Sequence, residues 1–317
     1  MVAVRMNEMI DMHQPVLMKE VLSQLAIKPD GFYVDATFGR GGHSKALLDA
    51  LNENGRLFCI DKDPDAIQYA EKYFAKDARF SIQQGSFADL KRFLVNQELF
   101  GQVDGILFDL GVSSPQLDDA ARGFSFMRNG ALDMRMDNSK GESAAQWIAR
   151  VPEKELANVL WEYGEERFSR KIAHAIVKAR AENPITTTET LSAIIKKAHP
   201  AWPKGKNPAT QSFQAIRMKI NNELGDLEQG LAQCIDALRI GGRLCVISFH
   251  SLEDRIVKHF MQKEEQGIAL PSKLPIKKEN SVLKFKRIGR AIKPSMGEME
   301  NNPRSRSAVL RVGEKIS

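Results

Sequence analysis

Residues 33–61 constrain the fold of this chain of 317 residues more than any other stretch. They contain an apolar, β-prone segment, a glycine-rich turn (Phe-Gly-Arg-Gly-Gly), a segment with apolar residues at helical spacing, and a second β-prone segment. Glycines adopt positive φ without strain, so the backbone of this turn can approach a ligand closely. Asp61 follows Gly41 by 20 residues, the spacing of a ribose-binding carboxylate in nucleotide-binding α/β sheets. The stretch therefore predicts a site for an adenosine-containing cofactor.

The alternation of strands and helices continues on both sides of the middle of the chain. A helix is predicted to begin at 63–65, and the strand 103–109 is strongly apolar and ends on a carboxylate. The other predicted strands and helices are 79–83, 93–99, 227–238, 243–248, 283–285 and 308–312. Alternating strand and helix units form a parallel sheet with helices on both faces. We therefore predict an α/β fold with a doubly wound, Rossmann-like sheet.

The middle of the chain interrupts this alternation. Residues 110–136 are rich in Gly, Ser, Asp and Arg and predict no regular element, whereas apolar residues recur at helical spacing across 143–200. The simplest architecture is one α/β domain with an inserted helical domain. We predict a discontinuous core formed by residues 1–117 and 209–317, and an insert formed by residues 118–208.

The basic charge of the chain is concentrated in two tracts. The formal net charge is +6. Residues 190–222 contain six Lys or Arg and no Asp or Glu, and residues 273–293 contain eight Lys or Arg and one Glu. Such tracts suit a polyanion such as nucleic acid, and each alone equally suits a solvated basic surface. Charge alone therefore leaves the partner open.

The three cysteines, Cys59, Cys234 and Cys245, form no CxxC pair. Cys59 and Cys245 lie in apolar strand patterns, which indicates buried, reduced thiols, a cytoplasmic protein and no zinc site. The N-terminal residues have no continuous apolar core for a signal peptide, and no apolar run reaches membrane-spanning length. We expect neither a structural metal nor a membrane partner.

The glycine turn does not fully match a dinucleotide-binding sequence. The pattern G-x-G-x-x-G beginning at Gly39 would need a glycine where Ser44 stands, and a purely structural tight turn also explains the glycines alone. Asp35, four residues before Gly39, favours a different cofactor. An acid followed by a glycine turn resembles motif I of class I S-adenosylmethionine-dependent methyltransferases, although Thr37 replaces the first glycine of that motif. S-adenosylmethionine has no phosphate, and Asp61 can accept hydrogen bonds from its ribose hydroxyls.

Residues after the third and fourth predicted strands extend this hypothesis. Phe87 follows a Gly-Ser pair where an adenine would lie, although a core aromatic is an equally good interpretation. Asp109 ends the fourth strand, at the edge of a doubly wound sheet where ligands bind. Amino-methyltransferases have an acid or amide followed by proline near this position, and Asp109 with Ser113, Ser114 and Pro115 is a looser version of that arrangement. These residues favour methyl transfer to an exocyclic amine of a base.

Longer motifs make the resemblance specific. They are DATFGRGGH at 35–43, DLGVSSPQLDD at 109–119, RGFSF at 122–126, LDMRMD at 132–137, YGEER at 163–167, SFHSLEDR at 248–255 and NPRSR at 302–306. With them the chain resembles the MraW family, the bacterial ribosomal RNA small subunit methyltransferases H, over roughly 13–312. The resemblance implies a class I methyltransferase core with an inserted helical domain. It also implies N4-methylation of one cytidine in the decoding centre of 16S ribosomal RNA.

The resemblance also implies which residues form the site. It implies cofactor contacts from Gly41, Gly42, His43, Asp61, Phe87, Asp109 and Gln116. For catalysis we predict Asp109, with the Ser113 hydroxyl and His250 as further candidates that hold the amine or the base. Asp109 could instead only bind the cofactor, and the 248–255 motif could be a structural turn with a helix capped by Ser251. Because the sulfonium of the cofactor is already activated, we predict no metal.

The implied partner is small-subunit ribosomal RNA or the small ribosomal subunit. The helical insert and the basic stretch 196–219 would form an RNA platform, and the loops 122–126 and 133–137 would grip a base or the backbone. Loops pinned by internal salt bridges are the alternative for these two motifs. RNA binding should weaken steeply with salt because counterions are released. We leave the oligomeric state open, with a homodimer as one option.

Three other functions stay open on the residues alone. A methyltransferase acting on DNA or on a small molecule would share the core, and the basic tracts disfavour only the small molecule. A non-catalytic ribosome-assembly factor that keeps the fold is disfavoured by the intact Gly41, Asp61 and Asp109. A nicotinamide dehydrogenase is disfavoured by Asp35 and by Ser44 at the third glycine position.

Overall fold

The computed structural model describes residues 15–200, 202, 207–267 and 283–317. The chain divides into two compact units: a sheet unit of Met1–Gly111 with Gly225–Ser317, and a helical unit of Val112–Leu224. Among the described residues, no helix is both long and apolar enough to cross a membrane.

The described residues form the following strands and helices, each numbered in chain order. The strands are β1 Phe32–Asp35, β2 Arg56–Asp61, β3 Phe80–Gln84, β4 Val103–Asp109, β5 Leu238–Ser248, β6 Phe285–Arg287 and β7 Val309–Lys315. The helices that precede the helical unit are α1 Met18–Leu25, α2 Gly42–Ala50, α3 Pro64–Tyr73 and α4 Leu90–Asn96. Those of the helical unit are α5 Ser114–Asp118, α6 Ala144–Arg150, α7 Glu153–Glu162, α8 Ser169–Glu182, α9 Thr188–Ala198 and α10 Ala209–Asn221. The remaining helices are α11 Glu223–Ala237, α12 Ser251–Gln266 and α13 Met296–Asn301.

The strand order in the sheet is β3-β2-β1-β4-β5-β7-β6. β1 pairs in parallel with both β2 and β4, and β4 pairs in parallel with β5, whereas β7 runs antiparallel between β5 and β6. Parallel neighbours need crossover connections, which helices provide. The strand order reverses between β1 and β4, so the carboxyl ends of these two strands form the edge at which ligands bind. The predicted doubly wound α/β fold is confirmed.

Alternate residues of the strands enter two hydrophobic cores, one on each face of the sheet. Val34 and Phe58 lie in the core covered by α4, α11 and α12, while Tyr33 and Leu57 lie in the core covered by α1, α2 and α3. β4 is buried on both faces and is therefore apolar with little alternation. Burying each large apolar side chain contributes about 1.5–3 kcal/mol. The two cores thus hold rigidly the strand ends on which the site residues lie.

The helical unit has its own hydrophobic core. Side chains of α6, α7, α8, α9 and α10 form it, together with Leu132 and Met134 from the segment before α6. Ser143 and Gln146 form a capping box at the start of α6. The N–H of Ser143 donates to Gln146 Oε1 at 2.9 Å, and the N–H of Gln146 donates to Ser143 Oγ at 3.3 Å. These two hydrogen bonds stabilise the start of α6, because they satisfy two backbone donors that would otherwise be unpaired.

The helical unit is larger at both ends than the insert 118–208 expected from the sequence. It runs from Val112 to Leu224, so it includes α5 and α10. The apolar face of α10 packs into the helical core through Ala209, Phe213, Ala215 and Ile216. Helical periodicity identifies the apolar face of such a helix but not the core that receives it. As a result, Ser113 and Gln116 belong to the helical unit and not to the expected core 1–117.

Two local elements also differ from the sequence expectation. Residues 110–136 contain α5 and a short 3-10 helix, Ala120–Arg122, where the sequence predicts no regular element. Strand β5 begins at Leu238 and passes through the expected Gly241-Gly242 turn. Gly241 has a φ of +78°, and the register with β4 shifts between Val103 and Gly105. The glycines therefore absorb an irregularity inside one long strand.

Candidate active site

A tight turn, residues 38–42, connects β1 to α2. Gly39 and Gly41 have φ of +57° and +71°, a region that disfavours side chains. A Cβ on Gly41 would also lie only 2.6 Å from Cζ of Phe74. The N–H of Gly41 donates to the Phe38 carbonyl at 2.7 Å and closes the turn. Gly41 therefore brings bare backbone to the edge of the sheet, directly before α2.

Asp35, at the end of β1, holds this turn from inside the fold. Its carboxylate accepts hydrogen bonds from the Ser44 hydroxyl at 2.6 Å and from the Thr37 N–H at 3.1 Å. Burial raises the pKa of the Asp35 carboxyl, and these two hydrogen bonds oppose the rise. Ser44, which breaks the dinucleotide pattern, is thus a donor to the acid that defines the methyltransferase motif.

Thr37 connects two neighbouring strand ends. Its hydroxyl oxygen accepts a hydrogen bond from the backbone N–H of Asp109 at 2.6 Å. A glycine, which the resembling motif has at this position, offers no such acceptor. Thr37, which replaces the glycine of the motif, therefore connects the end of β1 to the end of β4 and positions the backbone of Asp109.

Asp61, at the end of β2, is anchored by backbone donors. Its carboxylate accepts from the Gly39 N–H at 2.7 Å and from the Asp63 N–H at 2.9 Å. Burial raises the pKa of Asp61 to about 6, although both donors lower it. Each carboxylate oxygen has two acceptor positions, so each retains capacity for a further donor. This arrangement suits the acceptance of hydrogen bonds from a pair of ligand hydroxyls.

Asp109 and His43 face each other at the centre of this edge. Asp109 Oδ2 lies 3.6 Å from His43 Nε2. Burial, together with the charges of Asp35 and Glu253, raises the pKa of Asp109 to about 8. Burial lowers the pKa of His43 to about 4. Near pH 7 the imidazole is therefore neutral, and the Asp109 carboxyl is mostly protonated.

Several buried polar atoms at this edge have no partner within the described part of the chain. They include Asp109 Oδ1 and both ring nitrogens of His43, although the Val16 backbone lies near enough to the His43 ring to raise its pKa. An unpaired buried polar group costs about 1–3 kcal/mol, so native structures contain few of them. Three such atoms on two facing side chains indicate a polar ligand that supplies their partners.

The acids of this edge concentrate negative potential. The charge of Asp35 raises the pKa of both Asp61 and Asp109, and the charge of Glu253 raises that of Asp109. Such an edge attracts a cation and opposes a pyrophosphate. Among the described residues, no group of three or more His, Cys, Asp or Glu side chains has an arrangement that could hold a metal ion. The residues therefore fit a cationic organic cofactor better than a dinucleotide.

Phe87 begins a short 3-10 helix, Phe87–Asp89, after β3. Its ring packs edge-on against Phe108 with the ring centres 5.2 Å apart. It also lies against Gly230 of α11, where a Cβ would be 2.9 Å from Phe87 Cδ2. Phe87 is only partly buried against this core. It therefore has a packing role, and its contact with an adenine stays a prediction.

His250 follows β5 and caps α12. Its Nδ1 accepts a hydrogen bond from the Glu253 N–H at 3.4 Å. The buried Glu253 carboxylate accepts from the N–H groups of Phe249 and His250 at 2.8 Å and 3.3 Å. The cap is thus His250 and not Ser251, because Glu253 completes a capping box with the histidine. Since β4 and β5 are neighbours, His250 and Asp109 lie at the same edge of the sheet.

Ser113 and Gln116 lie at the start of α5 in the helical unit. The N–H of Ser113 donates to Gln116 Oε1 at 2.9 Å. Ser113 is the N-cap residue, and Pro115 lies in the first turn, as is common at helix starts. Gln116 is buried. The catalytic role of Ser113 and the cofactor contact of Gln116 stay predictions.

The loops around Arg122 and Arg135 are braced within the helical unit. The buried Arg122 donates to the carbonyls of Arg135 and Met136 at 3.1 Å and 2.8 Å. Arg135 forms a bidentate pair with Asp133 at 2.6 Å and 2.8 Å, and Asn221 Nδ2 donates to Met134 at 2.7 Å. These contacts favour the alternative of internally pinned loops for both motifs.

The described parts of the basic tracts are partly ion-paired. Arg217 pairs with Glu223 at 2.7 Å, and Lys219 approaches Glu155 at 3.6 Å. Lys196 and Lys197, in the last turn of α9, are exposed. Predictions for His13, Lys204, Lys206 and 273–282 lie outside the described residues.

The remaining histidines and the cysteines behave as ordinary residues of the fold. His174 and His259 are exposed, whereas His199 packs edge-on against Phe168 at 4.7 Å. The three cysteines, Cys59, Cys234 and Cys245, are buried and free. Burial raises the thiol pKa of each of them. None of these residues adds a reactive group to the site.

Two acids of the site were not singled out from the sequence. Glu253 has a signal there, because it lies three residues after His250 at the start of a helix. Asp226 has none, because its partners Lys62 and Ser86 are distant in the chain. Asp254, by contrast, braces α12 against β7 through a bidentate pair with Arg311 at 2.7 Å and 2.9 Å.

Comparisons with known proteins show the family to which the chain belongs. Residues 11–316 match the family described as the MraW methylase family. The chain is 57% identical over 305 residues to the ribosomal RNA small subunit methyltransferase H of Marinomonas sp. (strain MWYL1), covering 96% of this chain and 97% of that one. Identity to the protein of the same name from Legionella pneumophila (strain Paris) is also 57%, covering 96% and 99%.

A more distant relative and a solved structure complete the comparison. The ribosomal RNA small subunit methyltransferase H of Coxiella burnetii (strain Dugway 5J108-111) is 53% identical over 308 residues, covering 97% of this chain and 100% of that one. A structure described as a putative rRNA-methylase from Clostridium thermocellum has a TM-score of 0.46 and 13% identity, covering 96% and 99%. The chain belongs to the MraW methylase family, and its fold is that of the class I S-adenosylmethionine-dependent methyltransferases.

Proposed function

We propose that this protein transfers a methyl group from S-adenosylmethionine to N4 of a cytidine in the decoding centre of 16S ribosomal RNA. The observation that carries the acceptor class is the 57% identity, over nearly the full chain, to proteins named ribosomal RNA small subunit methyltransferase H. The cytidine, its N4 position and the decoding centre rest on the motif resemblance in the sequence alone.

The site residues of the sheet unit fit the methyl donor. Gly41 and Gly42 offer close backbone approach, and Asp61 offers carboxylate oxygens to the ribose hydroxyls. The exposed part of the Phe87 ring offers a surface for the adenine. When bound, S-adenosylmethionine supplies a methyl group that the positive charge on its sulfur activates. That positive charge favours the ionised form of Asp109, whose pKa of about 8 lies close to neutral pH.

The acceptor amine needs a different kind of help. The lone pair of the cytosine N4 is conjugated into the ring, so the amine is a poor nucleophile and must be aimed and relieved of a proton. Holding the reacting atoms in line at roughly 3 Å contributes most when the groups around them are rigid. The cores behind β1 and β4 provide that rigidity for Asp109.

Asp109 is the proposed proton acceptor. Its Oδ1 lacks a partner in the described chain, and a pKa raised to about 8 makes its ionised form a stronger base than an ordinary carboxylate. Neutral His43 faces Oδ2 at 3.6 Å without adding charge beside it. The Ser113 hydroxyl and His250 are proposed to hold the amine and the base. The alternative role of Asp109 is cofactor binding alone.

The helical unit is proposed as the RNA platform. The exposed Lys196 and Lys197 support this role, because Arg217 and Lys219 of the same tract are engaged with acids. Phosphate contacts by such lysines bring RNA in without reading its sequence. Whether the platform receives free 16S RNA or the assembled small subunit is an outcome of the test below.

The test is methyl transfer to defined acceptors. Purified protein and methyl-labelled S-adenosylmethionine are incubated with small subunits, free 16S RNA, or DNA, all from cells lacking this protein. We expect label in the small subunit or its RNA, at one cytidine N4 by mass mapping. Label in DNA, or at another atom, would contradict the proposed acceptor. Absence of S-adenosylmethionine binding by calorimetry would favour a non-catalytic assembly factor.

A further inference from the structure

One face of α11 contacts the segment that carries Phe87, and these contacts are called the clasp below. Asp226, Gly230 and Gln233 are separated by four and three residues, so they lie on the same side of the helix. Each contacts the segment 86–91, which follows β3 and runs into the start of α4. The apolar residues Leu227, Leu231 and Cys234 of the same helix enter the core beneath the sheet. The polar contacts of Asp226 and Gln233 are thus separate from the apolar packing that holds α11 in place.

Asp226 joins two turns of the cofactor edge. Its Oδ2 accepts a hydrogen bond from the Ser86 hydroxyl and forms an ion pair with Lys62 Nζ at 2.6 Å. Ser86 caps the 3-10 helix that begins at Phe87, accepting the Ala88 N–H at 3.1 Å. Lys62 directly follows Asp61. One buried carboxylate therefore links the residue after Asp61 to the residue before Phe87.

Gly230 and Gln233 complete the clasp. A Cβ on Gly230 would lie 2.9 Å from Phe87 Cδ2 and 3.5 Å from Phe108 Cε1, so the helix backbone sits directly against the ring. Gln233 Nε2 donates to the Ala88 carbonyl at 2.6 Å, and Gln233 Oε1 accepts the Lys91 N–H at 2.7 Å. The backbone on the C-terminal side of Phe87 is thus also held by α11.

These contacts determine position more than stability. Polar contacts that replace water contribute only about 0.5–1.5 kcal/mol each. An ion pair as buried as Asp226 with Lys62 gains little after desolvation, unless its geometry serves another purpose. Displacing a site residue by about 1 Å can cost far more in ligand interaction than in folding. Polar contacts around the partly exposed Phe87 ring are consistent with a role in positioning that ring.

We infer that Asp226 is a positioning residue for the adenosine end of the cofactor site, acting on Phe87 through Ser86 and on Asp61 through Lys62. The inference rests on the proposed contacts of Phe87 with adenine and of Asp61 with ribose. It adds an acid that touches neither the cofactor nor the substrate.

The test is Asp226→Asn, which keeps the size of the side chain and removes the charge that holds Lys62. Affinities for S-adenosylmethionine and for adenosine alone are measured by calorimetry, and kcat and KM by methyl transfer. We expect both affinities to fall by about tenfold, a change of about 1.4 kcal/mol. KM for the donor should rise by a similar factor, with kcat within about twofold, because the reacting edge around Asp109 is untouched. Ser86→Ala, which removes the same link from its other side, should weaken both ligands in the same direction.

Asp236→Asn is the matched control, because Asp236 is exposed on the same helix and loses the same charge. Its affinities should equal those of the unchanged protein. Equal adenosine affinity in Asp226→Asn and the unchanged protein would overturn the inference, and so would a fall in kcat at constant KM. If Asp226→Asn fails to fold, Ser86→Ala decides, and unchanged binding by that variant overturns the inference. Failure of the unchanged protein to bind either ligand would overturn the proposed function and this inference together.

Discussion

Replacing Asp109 by Asn should stabilise the free protein while abolishing methyl transfer. The carboxyl of Asp109 is partly buried beside Asp35 and Glu253, with 27% of the side chain exposed, and its pKa is raised to about 8. The folded chain therefore favours the protonated form and is penalised when the group ionises. Asn mimics the protonated carboxyl in shape and has no proton to lose. Functional sites often contain groups that are kept at a cost to stability.

The size of this effect follows from the two pKa values. The pKa of Asp109 rises from an ordinary 3.8 to about 8 in the folded chain. The contribution to stability is fully present below the unfolded pKa and is lost as the pH rises through the folded one. Each pH unit in that window changes the free energy of unfolding by about 1.4 kcal/mol, so about 4 kcal/mol is lost near pH 7. Asp109→Asn should recover most of it.

Urea unfolding over a range of pH measures the effect. The unfolding free energy of Asp109→Asn minus that of the unchanged protein should be near zero at about pH 4 and about 4 kcal/mol at about pH 7. Taking the difference cancels the contributions of shared titratable groups that lie far from Asp109. Asp236→Asn, an exposed change of the same kind, should show no such trend.

Two results would refute this reasoning. A stability difference that stays constant across the pH range would mean that Asp109 does not titrate differently in the folded and unfolded chains. Normal methyl transfer by Asp109→Asn would remove the carboxyl from the mechanism and leave Ser113 and His250 to hold the amine. The two measurements are independent, so one part of the reasoning can fail without the other.

Three further predictions concern the cofactor edge and the RNA platform. Affinity for S-adenosylmethionine should rise with pH up to about 8, because a cation favours the ionised Asp109, whose pKa is about 8. Binding should release a proton, so the heat of binding measured by calorimetry should differ between buffers. Asp109→Asn should show neither effect. Gly41→Ala should lose cofactor affinity and about 1–3 kcal/mol of stability, because φ is +71° and the new Cβ would meet Phe74 at 2.6 Å; circular dichroism and calorimetry check this. Replacing Lys196 and Lys197 together by Gln should weaken RNA binding. The slope of log affinity against log salt concentration should become shallower by the equivalent of about one to two phosphate contacts, measured by filter binding at several salt concentrations.

The fold of the sheet unit could be predicted closely from local patterns. The strand predicted at 103–109 has those same bounds, because a strand buried on both faces is a continuous apolar run. The glycine turn was recognisable because positive φ at Gly39 and Gly41 needs glycine. The boundary at 208 could not be predicted in this way. The amphipathic pattern of α10 does not say which of two cores it enters.

The chemistry of the edge was only partly recognisable from the sequence. Asp35, Asp61 and Asp109 lie at the ends of neighbouring parallel strands. Their position at one edge of the sheet therefore follows from the order of the strands. Their pKa values do not, because these depend on burial and on charges from other elements, such as Glu253. The capping role of His250 also appears only when the backbone donors of its turn are placed.

The sequence by itself determined the family, the class of cofactor and the residues at the strand ends, because these depend on contiguous motifs and on periodicity. Tertiary structure alone decided that α10 joins the helical core, that Thr37 ties Asp109 to β1, and that Asp226 links Lys62 to Ser86. Each of these contacts joins residues that are distant along the chain. Local propensity carries no information about such contacts, because only the packed core brings their side chains within hydrogen-bonding distance.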